Sequence, residues 1–481
     1  MQLSPVLNIL GLLATILAAA MLIPMGVDLY AGSDDWQVFA LSALLTGFVG
    51  VSVWLATNQR DALDLGLRQA FLLTNGSWVM IGIFGALPFM FSELELSFTD
   101  SVFESVSGIT TTGSTILVEI EQASPGILIW RALLQWLGGV GIVVMAMAVL
   151  PMLSVGGMQL FRTESYERAE NVVPRATQLA GGIGLVYTGL TALWAVMLAL
   201  AGMDMFDAVA HSMTTLATGG YSTRTASIGA FESVAVEWII ITGMIVGSLP
   251  FAHYLAMVRG GWRSLLNDPQ VRCFLILAVG LVLLLIGHLI QTGLGFGEAV
   301  RQASFNGISI MTGTGYVSAN FSAWGGFATT ILLIVMFIGG CGGSTTCGIK
   351  VFRLQVLASA AKVQISRLLR PHAVVLAYYN KRPVSVEVMD SVMGFFYLFI
   401  LGFVLIAIML GMAGLDFVTA LSGAATSISN VGPGLGEVIG ADGNFSTLPN
   451  SAKWIMSFAM LLGRLEIFTV LVMLNPAFWQ R

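Results

Sequence analysis

Long apolar runs alternate with short polar connections along the whole chain. Ten runs exceed the roughly 18 residues that read as a bilayer span. They are Val6–Val27, Trp36–Thr57, Gln69–Phe91, Ala132–Leu153, Leu179–Gly202, Trp238–Met257, Cys273–Thr292, Phe327–Ile349, Val392–Met412 and Trp454–Leu474. The eighth is glycine-rich in its second half, so its length as a helix stays open. The first run has no Lys or Arg ahead of it and is long enough to span, which predicts a retained helix rather than a cleaved leader. The pattern predicts an all-α polytopic membrane protein with ten transmembrane helices.

A second pattern lies in the connections. After the first two runs, four connections each contain a short, moderately apolar stretch: DSVFESVSGITTTGST from Asp100, DAVAHSMTTLATGGYS from Asp207, QASFNGISIMTGTGYV from Gln302 and TALSGAATSISNVGPG from Thr419. They align without a gap. Thirteen residues after the first residue each has a glycine: Gly113, Gly220, Gly315 and Gly432. Seven residues in, each has a small hydroxyl: Ser107, Thr214, Ser309 and Thr426. The second position is always small, and 25 to 31 residues past the shared glycine comes Gly138, Gly247, Gly340 or Gly463.

A pattern recurring four times in order implies one supersecondary unit repeated. The predicted organisation is two peripheral helices over 1–65, then four helix–pore loop–helix units over 66–160, 161–262, 263–365 and 366–481, closed around one central pore. About ten residues of helix reach only halfway across the hydrocarbon, so each stretch predicts a re-entrant half-helix. Extended Thr/Gly backbone at that depth is tolerated where it lines a wet cavity. A ring of backbone carbonyls there can replace the hydration shell of a bare cation, with the negative ends of four half-helices aimed inward. Ordinary Gly/Thr-rich loops are the plain alternative, and four gapless copies between paired helices weigh against it.

Composition agrees. Of 481 residues, 56% are hydrophobic and 10% charged, against about 25% charged in soluble proteins, and the mean hydropathy is +0.87. Cys273, Cys341 and Cys347 sit in apolar or glycine-rich surroundings and form no disulfide framework. With the N-terminus inside, sixteen Lys and Arg fall in inside segments, while Arg131, Arg224, Arg301 and Lys453 fall outside and Arg464 within a span. This bias places both termini in the cytoplasm. No nucleophile motif, phosphate-cradling loop or nucleic-acid signature is present.

The stretch from Phe337 to Lys350 holds five glycines between Gly339 and Gly348. Each would penalise a continuous helix by about 1 kcal/mol, so an unwound loop inside the membrane is expected; a glycine-rich packing face is the alternative. Arg464 sits near mid-bilayer, where an unpaired charge costs at least roughly 2.5–3.5 kcal/mol. Unwound carbonyls of Gly339–Gly343 are its expected partner, and a contact with Glu466 across an interface the alternative. His211, His253 and His288 read as core or pore-helix residues rather than metal ligands. Asp100, Glu104, Glu119, Glu121 and Asp207 crowd the outside mouth, either as a solvated face or to concentrate cations.

The motifs TTTGST, ATGGYST, TGTGY and SNVGPGLG, together with FIGGCGGSTTCGIK, resemble the Trk/Ktr/HKT superfamily of potassium transporters. The two extra N-terminal helices and the stretch Asn380–Ser385 resemble its bacterial TrkH-type branch, over essentially the whole chain. The resemblance implies a potassium uptake pore of the bacterial inner membrane, a homodimer with one pore per subunit, and a cytosolic TrkA-type partner that binds nucleotides. Potassium would be the transported ligand, and no cofactor is expected in the chain. By match to the family's selectivity filter, the ion would be held by Thr111, Thr112 and Gly113; Thr218, Gly219 and Gly220; Gly313, Thr314 and Gly315; and Asn430, Val431 and Gly432. Gly313 departs from the commoner threonine. The resemblance also implies a gate in the glycine-rich loop, at Gly339, Gly340, Cys341, Gly342 and Gly343 with Lys350 at its end, held by Arg464. Coupled symport with protons or sodium is the runner-up. An intramembrane enzyme would require acidic pairs or a Ser/His arrangement within the helices, and a non-conducting scaffold needs no fourfold filter.

Overall fold

The computed structural model describes residues 3–57, 66–148, 157, 175–258, 260–261 and 263–480. Among these residues the regular structure is helical, apart from one hairpin pairing Tyr378–Tyr379 with Arg382–Pro383. Seven helices are long and apolar enough to cross a membrane: Ser4–Ala31, Trp36–Thr57, Leu67–Phe91, Pro125–Ala146, Ala180–Leu200, Pro269–Gln291 and Val386–Met412.

Two further predicted spans are bent rather than straight. Val234–Gly247 and Phe251–Val258 meet at 95°, and Asn450–Arg464 and Ile467–Leu474 at 112°. The first bend falls at Pro250, which lacks an N–H and pushes its predecessor out of the helical region. The second falls at Glu466, whose φ is 63°. The eighth predicted span is helical only over Gly326–Val335 and then continues as irregular chain to Lys350. The expectation of ten full-length helices therefore gives way, among the described residues, to seven full-length spans, two bent pairs and one half-length helix.

The bend at Ser248–Pro250 and the glycine-rich loop satisfy each other. Cys341 N–H donates to Ser248 O at 3.0 Å, Thr345 N–H to Gly247 O at 3.1 Å, and Phe251 N–H to Gly343 O at 3.0 Å. Backbone groups freed at membrane depth thus find partners in protein, which such irregular chain requires.

The four re-entrant stretches are helices of 12, 12, 16 and 13 residues: Phe98–Ile109, Met205–Leu216, Phe296–Met311 and Phe417–Ser429. Ser97, Asp204 and Asp416 cap three of them by accepting first-turn amides, so each begins a few residues before its aligned stretch. The first pore helix packs against Pro125–Ala148 and Asn450–Arg464, the second against Pro125–Ala148 and Val234–Gly247, and the third against Val234–Gly247 and Gly326–Val335. Each of these three is held between its own following helix and that of the preceding unit, and the fourth unit's helix packs beside the first pore helix.

The N-terminal helices pack outside this ring. Ser4–Ala20 lies along Trp36–Thr57 and touches Leu67–Phe84. The crossing is close: a Cβ on Gly11 would stand 2.8 Å from Gly50 O, and one on Gly50 2.9 Å from Gly11 O. Asp28 anchors the pair to the first unit by accepting Gly126 N–H at 2.6 Å.

Candidate pore loops and glycine-rich loop

Each pore helix runs into its loop with the same backbone course. Residues at the same position, Thr111, Thr218, Gly313 and Asn430, have φ of 53°, 50°, 65° and 54°. Two residues on, Gly113, Gly220, Gly315 and Gly432 have φ of 85°, 79°, 79° and 109°. Between them, the amides of Thr112, Gly219, Thr314 and Val431 donate to the carbonyls of Ser107, Thr214, Ser309 and Thr426 at 2.8–3.0 Å. Gly313, which departs from threonine, occupies a left-handed position that glycine adopts without strain.

The shared glycines have a second reason, which also closes the ring. A Cβ on Gly113 would come under 3.0 Å from Gly219 O, one on Gly220 from Thr314 O, one on Gly315 from Val431 O, and one on Gly432 from Thr112 O. Each glycine abuts the same carbonyl of the next copy, and the series returns from the fourth to the first. The other recurring positions also have assignable roles. Ser107 donates to Ser114 O at 2.6 Å, Ser309 to Tyr316 O at 2.7 Å and Thr426 to Gly432 O at 3.0 Å, pinning the chain as it leaves each loop. In the second copy Thr214 instead bonds Ala210 O at 3.1 Å and meets the Tyr316 hydroxyl. A Cβ on Gly138, Gly247 or Gly463 would come under 3.0 Å from the pore-helix carbonyl of Ile109, Leu216 or Ile428. Gly340 breaks that equivalence, because the third unit's helix has already ended; it faces Ser248 O and the Thr346 hydroxyl.

Several residues outside the recurring positions also brace the ring. Gln135 Nε2 donates to Gly219 O at 2.6 Å, and its Oε1 accepts Tyr221 N–H at 3.0 Å. The Tyr221 hydroxyl donates to Glu104 O at 2.8 Å, in the preceding copy. Tyr316 reaches back in the same way to Thr214 and Thr215. The signal was present: both tyrosines directly follow the shared glycine.

The mouth acids are largely committed. Asp100 pairs with Lys453 at 2.6 Å, Glu104 with Arg131 at 2.9 Å, and Asp207 with Arg224 at 2.6 Å. Arg301 bridges Glu237 at 3.2 Å and Glu298 at 2.6 Å. All four basic residues that the charge count leaves outside are therefore paired. Among the described residues Glu119 and Glu121 take no ion pair; Glu121 accepts Thr225 N–H at 2.8 Å.

The glycine-rich loop lies against the second copy. Thr218 Oγ1 donates to Thr345 Oγ1 at 3.1 Å, and Thr345 Oγ1 donates to Leu216 O at 3.0 Å. Arg464, 2% exposed, donates to Thr345 O and to Gly138 O, each at 3.0 Å, and also meets Cys347 Sγ. Its loop partners, Thr345 and Cys347, are thus further along than the expected Gly339–Gly343 carbonyls, and Gly138 lies on the first unit's long helix. Three of the five carbonyls in that segment already have donors: Gly340 O accepts Val351 N–H at 3.1 Å, Cys341 O the Ser344 hydroxyl at 2.7 Å and Gly343 O Phe251 N–H at 3.0 Å. Glu466 is not the partner either; it pairs with Arg353 at 2.7 Å. Lys350 folds back onto Thr346 O. A small cavity of about 30 Å³ is lined by Ser344, Thr346, Cys347, Lys350, Arg464 and Glu466, among others.

His211 is buried in the second pore helix, as expected, whereas His288 is half-buried on the Pro269–Gln291 helix and bonded to Trp324 O at 2.7 Å. His253 instead bridges Ser264 at 2.6 Å and Asp268 at 2.7 Å. Among the described residues no three His, Cys, Asp or Glu gather as a metal site. Arg60, Arg162, Arg168, Arg259 and Arg481, which entered the charge count, lie outside the described residues.

Comparison with known proteins agrees with this geometry. The TrkH family profile, described as a cation transport protein, matches residues 36–481. The chain is 43% identical to the Trk system potassium uptake protein TrkI of Halomonas elongata, over 99% of this chain and 97% of that one. It is 36% identical to the Trk system potassium uptake protein TrkH of Escherichia coli K12, over the full length of both. It superposes on the crystal structure of the potassium transporter TrkH from Vibrio parahaemolyticus with a TM-score of 0.91, at 35% identity and full coverage of both chains. With its fourfold ring of loops and these relatives, the chain belongs to the TrkH family of cation transport proteins, a family of membrane transporters and not of enzymes.

Proposed function

We propose that the chain takes up potassium across a bacterial inner membrane, through the ring of four loops and with both termini in the cytoplasm. The carrying observation is the cyclic packing of Gly113, Gly220, Gly315 and Gly432, each against a carbonyl of the next copy. Such packing supports a reading in which Thr111–Gly113, Thr218–Gly220, Gly313–Gly315 and Asn430–Gly432 hold a dehydrated ion. Potassium suits this site because it is large and gives up water readily, and it is the ion named for the relatives. The gate is the loop through Gly339, Gly340, Cys341, Gly342 and Gly343 with Lys350, held closed by Arg464; the bonds from Arg464 to Thr345 and Gly138 support this role. The four units follow the divisions at 66, 161, 263 and 366.

The working assembly is a homodimer regulated by a cytosolic TrkA-type nucleotide-binding subunit. Lys362, Arg367 and Arg370, on and beside the Val351–Leu369 helix, offer a basic docking face. The Arg162–Arg175 segment of the same face lies outside the described residues, apart from the helix start at Arg175. Coupled symport is less well supported, because Glu466, the span carboxylate a proton carrier would use, is engaged by Arg353. The test is reconstitution into liposomes with potassium and sodium gradients at fixed voltage and pH. Potassium flux well above sodium flux, without proton movement, is expected; equal fluxes or obligatory proton movement would overturn the reading.

A further inference from the structure

We propose that the buried Glu104–Arg131 ion pair is a positioning device that ties the first pore loop to the second and thereby sets ion discrimination. This rests on the reading of the loops as the ion path. The two side chains are 0% and 1% exposed and meet at 2.9 Å. Glu104 lies on the first pore helix. Its carboxylate accepts Thr115 Oγ1 at 3.0 and 3.1 Å and Ile116 N–H at 3.0 Å, both on the limb that leaves the first loop. Arg131 also donates to Thr115 Oγ1 at 3.1 Å and, across the seam, to Ser222 O of the second limb at 2.8 Å. Its guanidinium lies over the Tyr221 ring, 4.1 Å from the centroid.

The fourfold alignment shows what is special about this copy. The positions matching Glu104 are His211, Asn306 and Gly423. His211 Nε2 bonds Ser222 Oγ at 2.9 Å, and Asn306 bonds the Ser318 hydroxyl at 3.1 Å and amide at 3.2 Å. Next to Gly423, Ser422 Oγ accepts Leu435 N–H at 3.0 Å. Every copy therefore braces its outgoing limb from the pore helix, and neutral groups suffice for that. The first copy instead carries an ion pair, whose desolvation costs several kcal/mol per ion, and this pair alone among the four braces reaches the next limb. Beside the neutral ties from Gln135 and Tyr221 across this seam, the pair adds a charged one to the second outgoing limb at Ser222 O. Loosening it lets two neighbouring carbonyl sets move apart, so their field on a dehydrated ion weakens.

The discriminating experiment uses the full-length protein in liposomes and compares wild type, the neutral double variant Glu104→Gln/Arg131→Met, and Thr115→Val, which removes the shared hydroxyl and keeps both charges. Buried pairs replaced together by uncharged groups are often neutral for stability. A purely structural pair therefore predicts an intact melting temperature and an unchanged potassium-to-sodium flux ratio. The positioning role predicts that the ratio falls roughly tenfold in the double variant while the melting temperature holds, the loss of one charged hydrogen bond across the seam. Thr115→Val should lower it by less. A folded double variant with the wild-type ratio overturns the proposal. If that variant fails to fold, Thr115→Val decides: a lowered ratio supports the role and an unchanged one overturns it. A wild type without potassium preference would instead refute the proposed function.

Discussion

Replacing Arg464 by alanine should open the gate. The guanidinium donates to Thr345 O and Gly138 O, each at 3.0 Å, so it ties the glycine-rich loop to the first unit's long helix. A hydrogen bond from a charged group contributes about 1.5–3 kcal/mol. If only the Thr345 bond is specific to the closed state, its loss moves the open-to-closed ratio by roughly tenfold to a hundredfold. Removing the charge from the path also lowers the barrier to a passing cation, which acts in the same direction. The assay is potassium flux in liposomes without any cytosolic partner, with Arg464→Lys as the intermediate case: it keeps the charge and loses the two-pronged reach. Basal flux should rise in the order wild type, Arg464→Lys, Arg464→Ala, with the potassium-to-sodium ratio unchanged because the four-loop ring is untouched. Abolished flux in well-folded Arg464→Ala protein would refute the reasoning.

Three further outcomes are expected. Gly113→Ser places a Cβ under 3.0 Å from Gly219 O at a φ of 85°, so potassium flux should fall and the sodium share rise; unchanged fluxes would remove Gly113 from the ion path. Deleting Gly340–Gly343 should raise basal flux beyond Arg464→Ala, because it removes the loop and its bonds to Ser248 and Phe251; unaltered basal flux, measured in folded protein, counts against a gate there. Reversing the charges of Arg367 and Arg370 should weaken a salt-sensitive association with the cytosolic subunit, read by co-purification across ionic strengths; full recovery at every salt concentration would move the docking face elsewhere.

The fourfold ring was readable because its constraints are local and repeated. One glycine per copy must accept both a left-handed φ and a neighbour's carbonyl, so no other residue type fits, and the spacing survives as a pattern. The hydroxyl seven residues in pins the outgoing limb of its own copy in three of the four. The bends were less readable, although Pro250 inside the sixth apolar run was a local warning and Glu466 inside the tenth another. The span periodicity hid both, since each half remains apolar. Arg464's partners could not be read from the chain at all. Gly138 and Thr345 are far from it in sequence, and in the Gly339–Gly343 segment four amides and three carbonyls are matched within the glycine-rich stretch and to Ser248, Phe251, Gln270 and Val351. The Asp100–Lys453 ion pair at the mouth was hidden for the same reason: the two are brought together only when the fourth unit closes on the first.

The central claim is that a dehydrated potassium ion passes between the four loops. It is tested most directly by locating the ion, through anomalous scattering from crystals grown with rubidium or thallous ion in place of potassium. The account predicts peaks on the ring's axis, among the oxygens of Thr111–Gly113, Thr218–Gly220, Gly313–Gly315 and Asn430–Gly432, which vanish when sodium replaces the heavier ion. Peaks confined to the mouth acids or the cavity beside Arg464, in protein that still transports potassium, would contradict it.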